Sequence, residues 1–325
     1  MKRIVLDING LDLGEQVFYD ASYEFLKKHS DLEITLIGNT QYIKTKEDLK
    51  NLILVNNNLK FTDPKNIRMS LKENTSMNEA ITGVVEGKFD GVISGGDSGS
   101  YISSLTFKSG RIEGISRPAF MPIITALNGR KLLLTDVGAN LEVKPENLHE
   151  WAKLASVFSS IMFNIKNPDL TLLNIGTEEY KGFEYVKEAA SLIKNDSSLN
   201  YIGFSESRNL LKGEFDVAIV DGYGGNLILK SYEGAVLSFK DSIKESALKK
   251  LKTKIGLLLL KPVFIDIMKK LDYRNIGAAW VIGVKSLALK IHGSSDQKAI
   301  YSALTQMYDA IDKNLISELN KVKNV

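Results

Sequence analysis

Short apolar runs alternate along the chain with longer segments whose apolar residues recur every three or four positions. Such runs are typical of buried strands, and the longer segments are typical of amphipathic helices. The predicted strands are 3–6, 33–37, 52–55, 89–93, 131–135, 170–175, 201–204 and 215–220, with two short strands within 279–291 around Gly283. The predicted helices are 15–28, 78–86, 101–107, 145–163, 183–194, 227–239 and 296–319, and a loop is expected between Pro118 and residue 131. This alternation predicts an α/β fold in which helices cover both faces of a largely parallel sheet.

A glycine-rich turn at residues 94–100, Ser-Gly-Gly-Asp-Ser-Gly-Ser, joins the strand predicted at 89–93 to the next helix. Its glycines let an anion approach the backbone, and N–H groups at a helix start point toward such an anion. An ordinary strand-to-helix turn is the alternative, because glycine turns are common in parallel sheets. Asp97 would repel a phosphate unless it caps the helix, points away or is balanced by Arg111 and Arg117.

Polar turns also follow other predicted strands. Asp7, Asn9 and Asp12 come after the first strand, and in a parallel sheet they would share the ligand-binding edge with the glycine-rich turn. Turn and helix-cap chemistry is the alternative for both aspartates. Glycine turns that contain Asn or Asp end at least four strands, which one shared anion cleft explains better than four unrelated turns. His292 lies beside a glycine at the start of the final helix, where a structural role and a catalytic role are both open.

Residues 240–272 differ in kind and predict a helical hairpin arm. Between residues 249 and 270 a dense apolar run is mixed with seven lysines, and Pro262 interrupts it. The run is too short to span a bilayer. A basic, apolar hairpin suits a subunit interface or a membrane-surface anchor, and the two roles could coexist.

Composition narrows the class of protein. Hydrophobic residues make up 44% and charged residues 25% of the 325, which favours neither disorder nor an integral membrane protein. The formal charge of +3 is too small to indicate a nucleic-acid partner. The chain has no cysteine, which removes disulfides, thiolate metal sites and a cysteine nucleophile and fits a reducing cytoplasm. The first residues enter a strand at once, so secretion is not expected. We expect one domain over residues 1–325.

Several segments have an order and spacing that chance matches to single loops would not produce. They are residues 110–119, residues 136–140 with Lys144-Pro145-Glu146, residues 173–176 with Glu178, Glu179 and Lys181-Gly182, Asp221-Gly222 with Gly225-Asn226, Leu271-Asp272-Tyr273, and His292-Gly293-Ser294-Ser295. In this order they resemble, along nearly the whole chain, the phosphate acyltransferases of bacterial phospholipid synthesis.

The resemblance implies transfer of a fatty acyl group from acyl carrier protein to inorganic phosphate, giving acyl phosphate. It also implies a homodimeric α/β/α fold similar to isocitrate and isopropylmalate dehydrogenases, with no cofactor and no metal. Phosphate can attack the thioester itself, so the protein has to position phosphate and supply donors for the oxyanion. Lys181 and Asn226 suit those catalytic roles, and the resemblance points to the same two positions. The expected substrate and phosphate site comprises Asp7, Asn9, Gly10, Gly96, Asp97, Ser98, Gly99, Arg117, Asn140, Gly225 and His292.

The product is amphiphilic, so we expect a cytoplasmic protein that touches the inner face of the cell membrane through residues 249–270. The sequence departs from the family pattern in three places: at residues 10–12, in the turn at 95–100, where Asp97 replaces an asparagine, and at residues 277–280. A dehydrogenase is disfavoured, because no Gly-x-Gly-x-x-Gly follows the first strand. A membrane-associated scaffold that binds acyl carrier protein without catalysis is the other alternative, and the retained Lys181 and Asn226 argue against it.

Overall fold

A mixed sheet of eleven strands organises the part of the chain that the computed structural model describes, namely residues 1–47, 49–61, 71–271 and 278–322. The strands are β1 Lys2–Asp7, β2 Leu32–Gly38, β3 Leu52–Asn56, β4 Gly91–Ser94, β5 Ala119–Thr125, β6 Lys131–Thr135, β7 Asp169–Leu173, β8 Asn200–Ser205, β9 Val217–Ile219, β10 Ala278–Ile282 and β11 Ala288–Ile291. Their order across the sheet is β3-β2-β1-β4-β11-β10-β5-β6-β9-β7-β8.

The sheet contains two parallel halves that run in opposite directions. Strands β3, β2, β1, β4 and β11 are mutually parallel, and so are β6, β9, β7 and β8. Between the halves, β11, β10, β5 and β6 pair antiparallel. The prediction of a largely parallel sheet is therefore confirmed, with the addition that the carboxyl ends of its two halves lie at opposite edges.

Helices cover both faces of the sheet and give a three-layer α/β/α sandwich. They are Gln16–Leu26, Ser76–Val85, Ser98–Lys108, Pro145–Phe163, Glu184–Asn195, Gly222–Leu248, Leu251–Leu271, Gln297–Asp312 and Leu315–Leu319, with a 3-10 turn at Ser207–Lys212. Side chains alternate across β1, so Ile4 and Leu6 join one core layer and Val5 joins the other. The first layer packs against Gln16–Leu26 and Pro145–Phe163, and the second packs against Ser76–Val85 and Ser98–Lys108.

The expected loop after Pro118 is wrong, because Ala119–Thr125 forms the central strand β5. Pro122 disfavours such an assignment from sequence, since a proline cannot donate to the sheet. Burial between β10 and β6 overrides that local preference, and all but the last residue of β5 are buried. The final helix also differs from the expectation, since Asn314 adopts a left-handed conformation that separates Gln297–Asp312 from Leu315–Leu319.

The segment predicted as a hairpin at 240–272 belongs to a longer helical pair. The helix predicted at 227–239 extends over Gly222–Leu248 and is followed by Leu251–Leu271, and the hydroxyl of Tyr232 donates to the carbonyl of Leu271. Asp272, Tyr273 and Gly277 of the quoted segments lie outside the described residues. No described helix combines the length and the apolarity that crossing a bilayer requires.

Candidate functional site

The turns that follow β1, β4 and β11 meet at one edge of the sheet. The backbone N–H of Asp12 donates to the carbonyl of Gly293 over 2.8 Å. A side chain on Gly10 would stand 3.1 Å from the carbonyl oxygen of Gly95, so glycine permits the close approach of these two turns. Gly10 also has a φ of 117°, which L side chains rarely adopt. The expectation that the turns after β1 and β4 share one edge is confirmed, and the structure adds the turn after β11.

Asp7 stabilises the glycine-rich turn through hydrogen bonds at its start. Its carboxylate is buried and accepts hydrogen bonds from the hydroxyls of Ser76, at 2.6 Å, and Ser94, at 2.7 Å. Ser94 in turn accepts from the N–H of Gly96. Burial raises the pKa of the Asp7 carboxyl, and its hydrogen bonds oppose that shift. Asn9 is likewise committed to the protein, because its amide donates to Ser76 and its oxygen accepts from Asn39.

Asp97 caps the helix Ser98–Lys108. Its Oδ1 accepts from both the N–H and the hydroxyl of Ser100, each at 2.8 Å. The sequence left open whether Asp97 caps the helix, points away from the ligand or is balanced by arginines. The structure shows that it caps the helix. The N–H groups of Ser98 and Gly99 stand in the first turn of the helix, where an α-helix supplies no acceptor of its own.

Two further residues of this edge were missed by the sequence analysis. Lys290, in β11, is only 8% exposed, and its ammonium donates to the carbonyl of Ile291. Burial lowers the pKa of Lys290 to about 8, while the charges of Asp7 and Asp97 oppose that shift. Ser295 is 4% exposed, and its hydroxyl has no hydrogen-bond partner in the described part of the chain. The signal that could have revealed Lys290 is a lysine inside an apolar strand that ends directly before His292.

His292 has a defined tautomer. Its Nδ1 accepts from the N–H of Ser294 at 3.2 Å and lies 2.8 Å from the hydroxyl of the same residue. This hydrogen bonding assigns the proton to Nε2, which is left as a donor. Burial and the charge of Lys230 lower the pKa of His292, so the ring is neutral near pH 7.

The opposite half of the sheet contributes a second set of turns, organised by Asp136. This buried carboxylate accepts from the N–H groups of Phe120, Ala139 and Asn140 and from the side-chain amide of Asn140. Burial raises the pKa of Asp136, against the effect of these bonds. Asn140 therefore holds the turn together through Asp136 and through the carbonyl of Pro118.

Gly225 allows the helix Gly222–Leu248 to start directly against this turn. A side chain on Gly225 would overlap the carbonyl oxygen of Asp136, and one on Gly222 would crowd Asn140. The close packing brings the Asn226 side chain beside Gly138. A Cβ atom added to Gly138 would lie within 3.6 Å of it. Gly225 thus has a packing role in the described structure, and Asn226 is the residue that this packing positions.

Lys181 lies in the turn after β7, at the same sheet edge as the start of the Asn226 helix, because β7 and β9 are neighbours. Its ammonium pairs with Glu178 at 2.8 Å, and its carbonyl accepts from Asn174. Tyr185 links this region to the helix by donating to Asp221 over 3.1 Å, and burial together with that carboxylate raises the pKa of Tyr185 to about 12.

A cavity of about 650 Å³ lies between the two halves, over β5 and β10 and beneath the helix Gly222–Leu248. Its polar end is formed by the turns of the first half and by β11. Those residues are Gly10, Gly95, Gly96, Asp97, Ser98, Lys290, His292, Gly293, Ser294 and Ser295. Its wall is largely apolar and includes Phe120, Pro122, Val137, Leu229, Leu237 and Ala279, while Asn226, Lys230 and Glu233 come from the overlying helix.

The structure brings together some of the predicted site residues and not others. Gly10, Gly96, Asp97, Ser98, Asn226 and His292 line the cavity. Asp7, Asn9, Gly99, Asn140 and Gly225 stand in or behind the turns that shape it. Arg117 donates to the carbonyl of Glu142, and Lys181 pairs with Glu178; neither is among the residues that line the cavity.

The architecture defines the class first: it is the fold of the phosphotransacylases. A branched-chain phosphotransacylase from Enterococcus faecalis has a TM-score of 0.59 and 13% identity, covering 96% of this chain and 100% of that one. A phosphotransacetylase from Staphylococcus aureus has a TM-score of 0.58 and 15% identity, covering 95% and 94% of the two chains. At these identities the likeness concerns the fold alone.

Sequence comparison narrows the class to one family. The family model described as fatty acid synthesis protein matches residues 2–318. A protein named phosphate acyltransferase from Mycoplasmopsis agalactiae is 50% identical over 329 aligned positions, covering 100% of this chain and 98% of that protein. One of the same name from Bacillus pumilus is 37% identical, covering 96% and 95% of the two chains. The chain belongs to this family.

Proposed function

We propose that this protein is a phosphate acyltransferase that transfers a fatty acyl group from acyl carrier protein to inorganic phosphate for phospholipid synthesis. One observation carries the proposal: a single cavity joins a polar end, built from a glycine turn, a helix start and Lys290, to a largely apolar wall. The polar end suits a phosphate, and the wall suits an alkyl chain. The name of the relatives, phosphate acyltransferase, supports the same reaction.

The reaction needs no nucleophile from the protein. A phosphate oxygen attacks the thioester carbonyl carbon, and the tetrahedral intermediate collapses as the carbon–sulfur bond breaks. The products are acyl phosphate and the carrier thiolate, which takes up a proton. We assign Asn226 and Lys181 to stabilising the oxyanion of that intermediate, since preorganised donors act where charge develops. Asn226 lines the cavity, and Lys181 would have to leave Glu178 to reach it.

The direct test incubates the protein with an acyl carrier protein thioester and inorganic phosphate. We expect release of the free carrier thiol that depends on phosphate, and acyl phosphate as the co-product. Carrier binding without turnover would support the non-catalytic scaffold, and neither binding nor turnover would refute the proposal. The family match does not favour the scaffold.

We further propose a single catalytic domain, a fold related to isocitrate and isopropylmalate dehydrogenases, and a homodimer that works in the cytoplasm at the membrane surface. Exposed apolar side chains on the helix Leu251–Leu271 support the last point. Leu251, Leu258 and Leu259 are 75%, 65% and 77% exposed, and Leu260 and Val263 are also exposed. So large an apolar surface calls for a partner subunit, a membrane or both, and the lysines at 249–254 suit anionic lipid.

A further inference from the structure

Lys290 is a cation that the proposed catalytic roles leave unused. Its place is fixed by the sheet, because β11 pairs with β4 so that Lys290 stands beside Ser94, the first residue of the glycine-rich turn. Its ammonium donates to the carbonyl of Ile291. Within the described part of the chain, no carboxylate lies within ion-pair distance of it. A buried lysine without a paired carboxylate is energetically costly. An anion bound in the neighbouring cavity would offset that cost.

The nearby carboxylates are engaged elsewhere. Asp7 and Asp97 both act on Lys290 through their charge. The carboxylate of Asp7 is held by the hydroxyls of Ser76 and Ser94, and that of Asp97 by Ser100. They lessen the cost of burying the ammonium without forming an ion pair with it. A ligand anion in the cavity can therefore approach the ammonium without displacing a carboxylate.

A second observation at the same end of the cavity points to a ligand independently. The hydroxyl of Ser295 is buried without a hydrogen-bond partner in the described part of the chain, although Ser295 lines the cavity. A buried hydroxyl without a partner costs free energy, and among the described hydroxyls in this state only that of Ser295 belongs to a residue that lines the cavity. Ser98 and Gly99 belong to the glycine-rich turn at this end of the cavity, and their N–H groups, in the first turn of the helix, favour negative charge.

We infer that Lys290 binds the phosphate that accepts the acyl group, together with the hydroxyl of Ser295 and the first turn of Ser98–Lys108. The identity of that anion as a substrate rests on the proposed function. The arrangement also accounts for Asp97 in the turn, because the ammonium offsets the repulsion between a carboxylate and a phosphate. Lys290 then acts on the acceptor, while Asn226 acts on the acyl group from the other side of the cavity.

The kinetic test uses Lys290→Met, which keeps most of the length of the side chain and removes the charge, and Lys290→Arg, which keeps the charge. We expect Lys290→Met to raise the KM for phosphate at least tenfold and to change the KM for acyl carrier protein less than twofold. Lys290→Arg should recover most of the loss, and Ser295→Ala should raise the phosphate KM severalfold. Equal changes in both KM values, or an unchanged phosphate KM, would overturn the inference.

The pH profile gives a further readout. Asp7 on β1 and Asp97 at the helix cap act on Lys290 through their charge, and Lys290 acts in turn on His292 after β11. Lys230 and Glu233 of the overlying helix line the same cavity, and Asp12 of the first turn acts on His292. In the wild type, kcat/KM for phosphate should fall as pH rises above about 8, because the ammonium loses its proton. Lys290→Met should lack that fall, and a fall of the same size in the variant would contradict the role of Lys290.

Binding of phosphate alone separates this inference from the proposed function. Isothermal titration with inorganic phosphate, against chloride at equal ionic strength, should show binding to the wild type and to the remote control Lys27→Met, and none to Lys290→Met. If the protein is inactive and its phosphate binding depends on Lys290, the proposed function is refuted and Lys290 remains a phosphate-binding residue. If the protein is active and the Lys290→Met variant binds phosphate normally, the proposed function stands and the inference about Lys290 is refuted.

Discussion

Asp97 Oδ1 accepts two hydrogen bonds of 2.8 Å from Ser100, one from its N–H and one from its hydroxyl. The carboxylate therefore caps the helix while it still lines the cavity.

Asp97→Asn should lower the KM for phosphate severalfold near pH 7. The amide oxygen can still cap the helix, since asparagine is as good a cap as aspartate, so stability should change by less than about 1 kcal/mol. Loss of the negative charge reduces repulsion of the bound anion. Steady-state kinetics with varied phosphate measure the effect, and Asp241→Asn, at an exposed helix position that does not line the cavity, is the control. An unchanged KM would mean that the ligand lies beyond reach of the Asp97 charge, and a higher KM would contradict the repulsion.

Asn226→Ala and Lys181→Ala should each reduce turnover by about a hundredfold or more, the scale seen when one transition-state donor is removed. Asn226 lies in the cavity, and Lys181 is held by Glu178 at the neighbouring strand end. Asn195→Ala and Lys194→Ala, at the end of the helix Glu184–Asn195, are the matched controls. Near-normal turnover from a folded Lys181→Ala protein would show that this lysine stays with Glu178 during the reaction.

Gly225→Ala should disrupt the site and destabilise the protein by several kcal/mol, because the added methyl group would overlap the carbonyl of Asp136. Gly234→Ala in the same helix is the matched control, since nothing lies within 4 Å of its added methyl group. That control should stabilise by about 0.5–1 kcal/mol through helix propensity. Thermal unfolding of the two variants measures the contrast, and equal melting temperatures would contradict the close packing at Gly225.

Lys290→Met should stabilise the protein in buffer that lacks phosphate, by on the order of 1–3 kcal/mol at pH 7. Burial lowers the pKa of Lys290 to about 8 in the folded chain, against 10.5 for an ordinary lysine. The charged form is buried at full cost below pH 8, and the cost fades as pH rises toward 10.5, where the folded lysine is neutral. The advantage of Lys290→Met should therefore shrink over that window.

Denaturant unfolding at pH 7 and at pH 10 measures this effect, and Lys290→Arg, which stays charged, should show no gain at either pH. A stabilisation that is equal at both values would mean that packing, and not charge, is responsible.

The protein should sediment with anionic liposomes, and the binding should weaken with salt. Leu258 and Leu260 are exposed among lysines, and interfacial binding draws on both buried apolar area and attraction to anionic lipid. Replacing both with glutamate should abolish sedimentation and leave the proposed dimer intact. The double variant Leu59→Glu with Leu127→Glu removes exposed leucines elsewhere and should sediment normally. Monomers from the first variant would instead make these helices a subunit interface.

The sequence by itself determined the alternation of strands and helices, because buried strands and amphipathic helices carry local periodicities that need no knowledge of the partner. It also determined where the chain can turn tightly, since Gly10 adopts a positive φ that residues with a side chain resist. The Asp97 cap was one of the roles that the sequence offered, because a cap depends on a residue three positions away.

Only the tertiary structure decided what those turns contact. Because Pro122 disfavours a strand, the sequence analysis did not predict the central strand β5. That strand forms by pairing with β6 and with β10, which comes from a distant part of the chain. The opposed directions of the two halves, and the helix that carries Asn226 over the cavity, follow from pairings that local sequence does not encode. Lys290 looks like any lysine in a short strand until β4 and the turns at 94–98 and 292–295 enclose it. Its burial and its altered pKa arise from that enclosure, since both are properties of what surrounds a side chain.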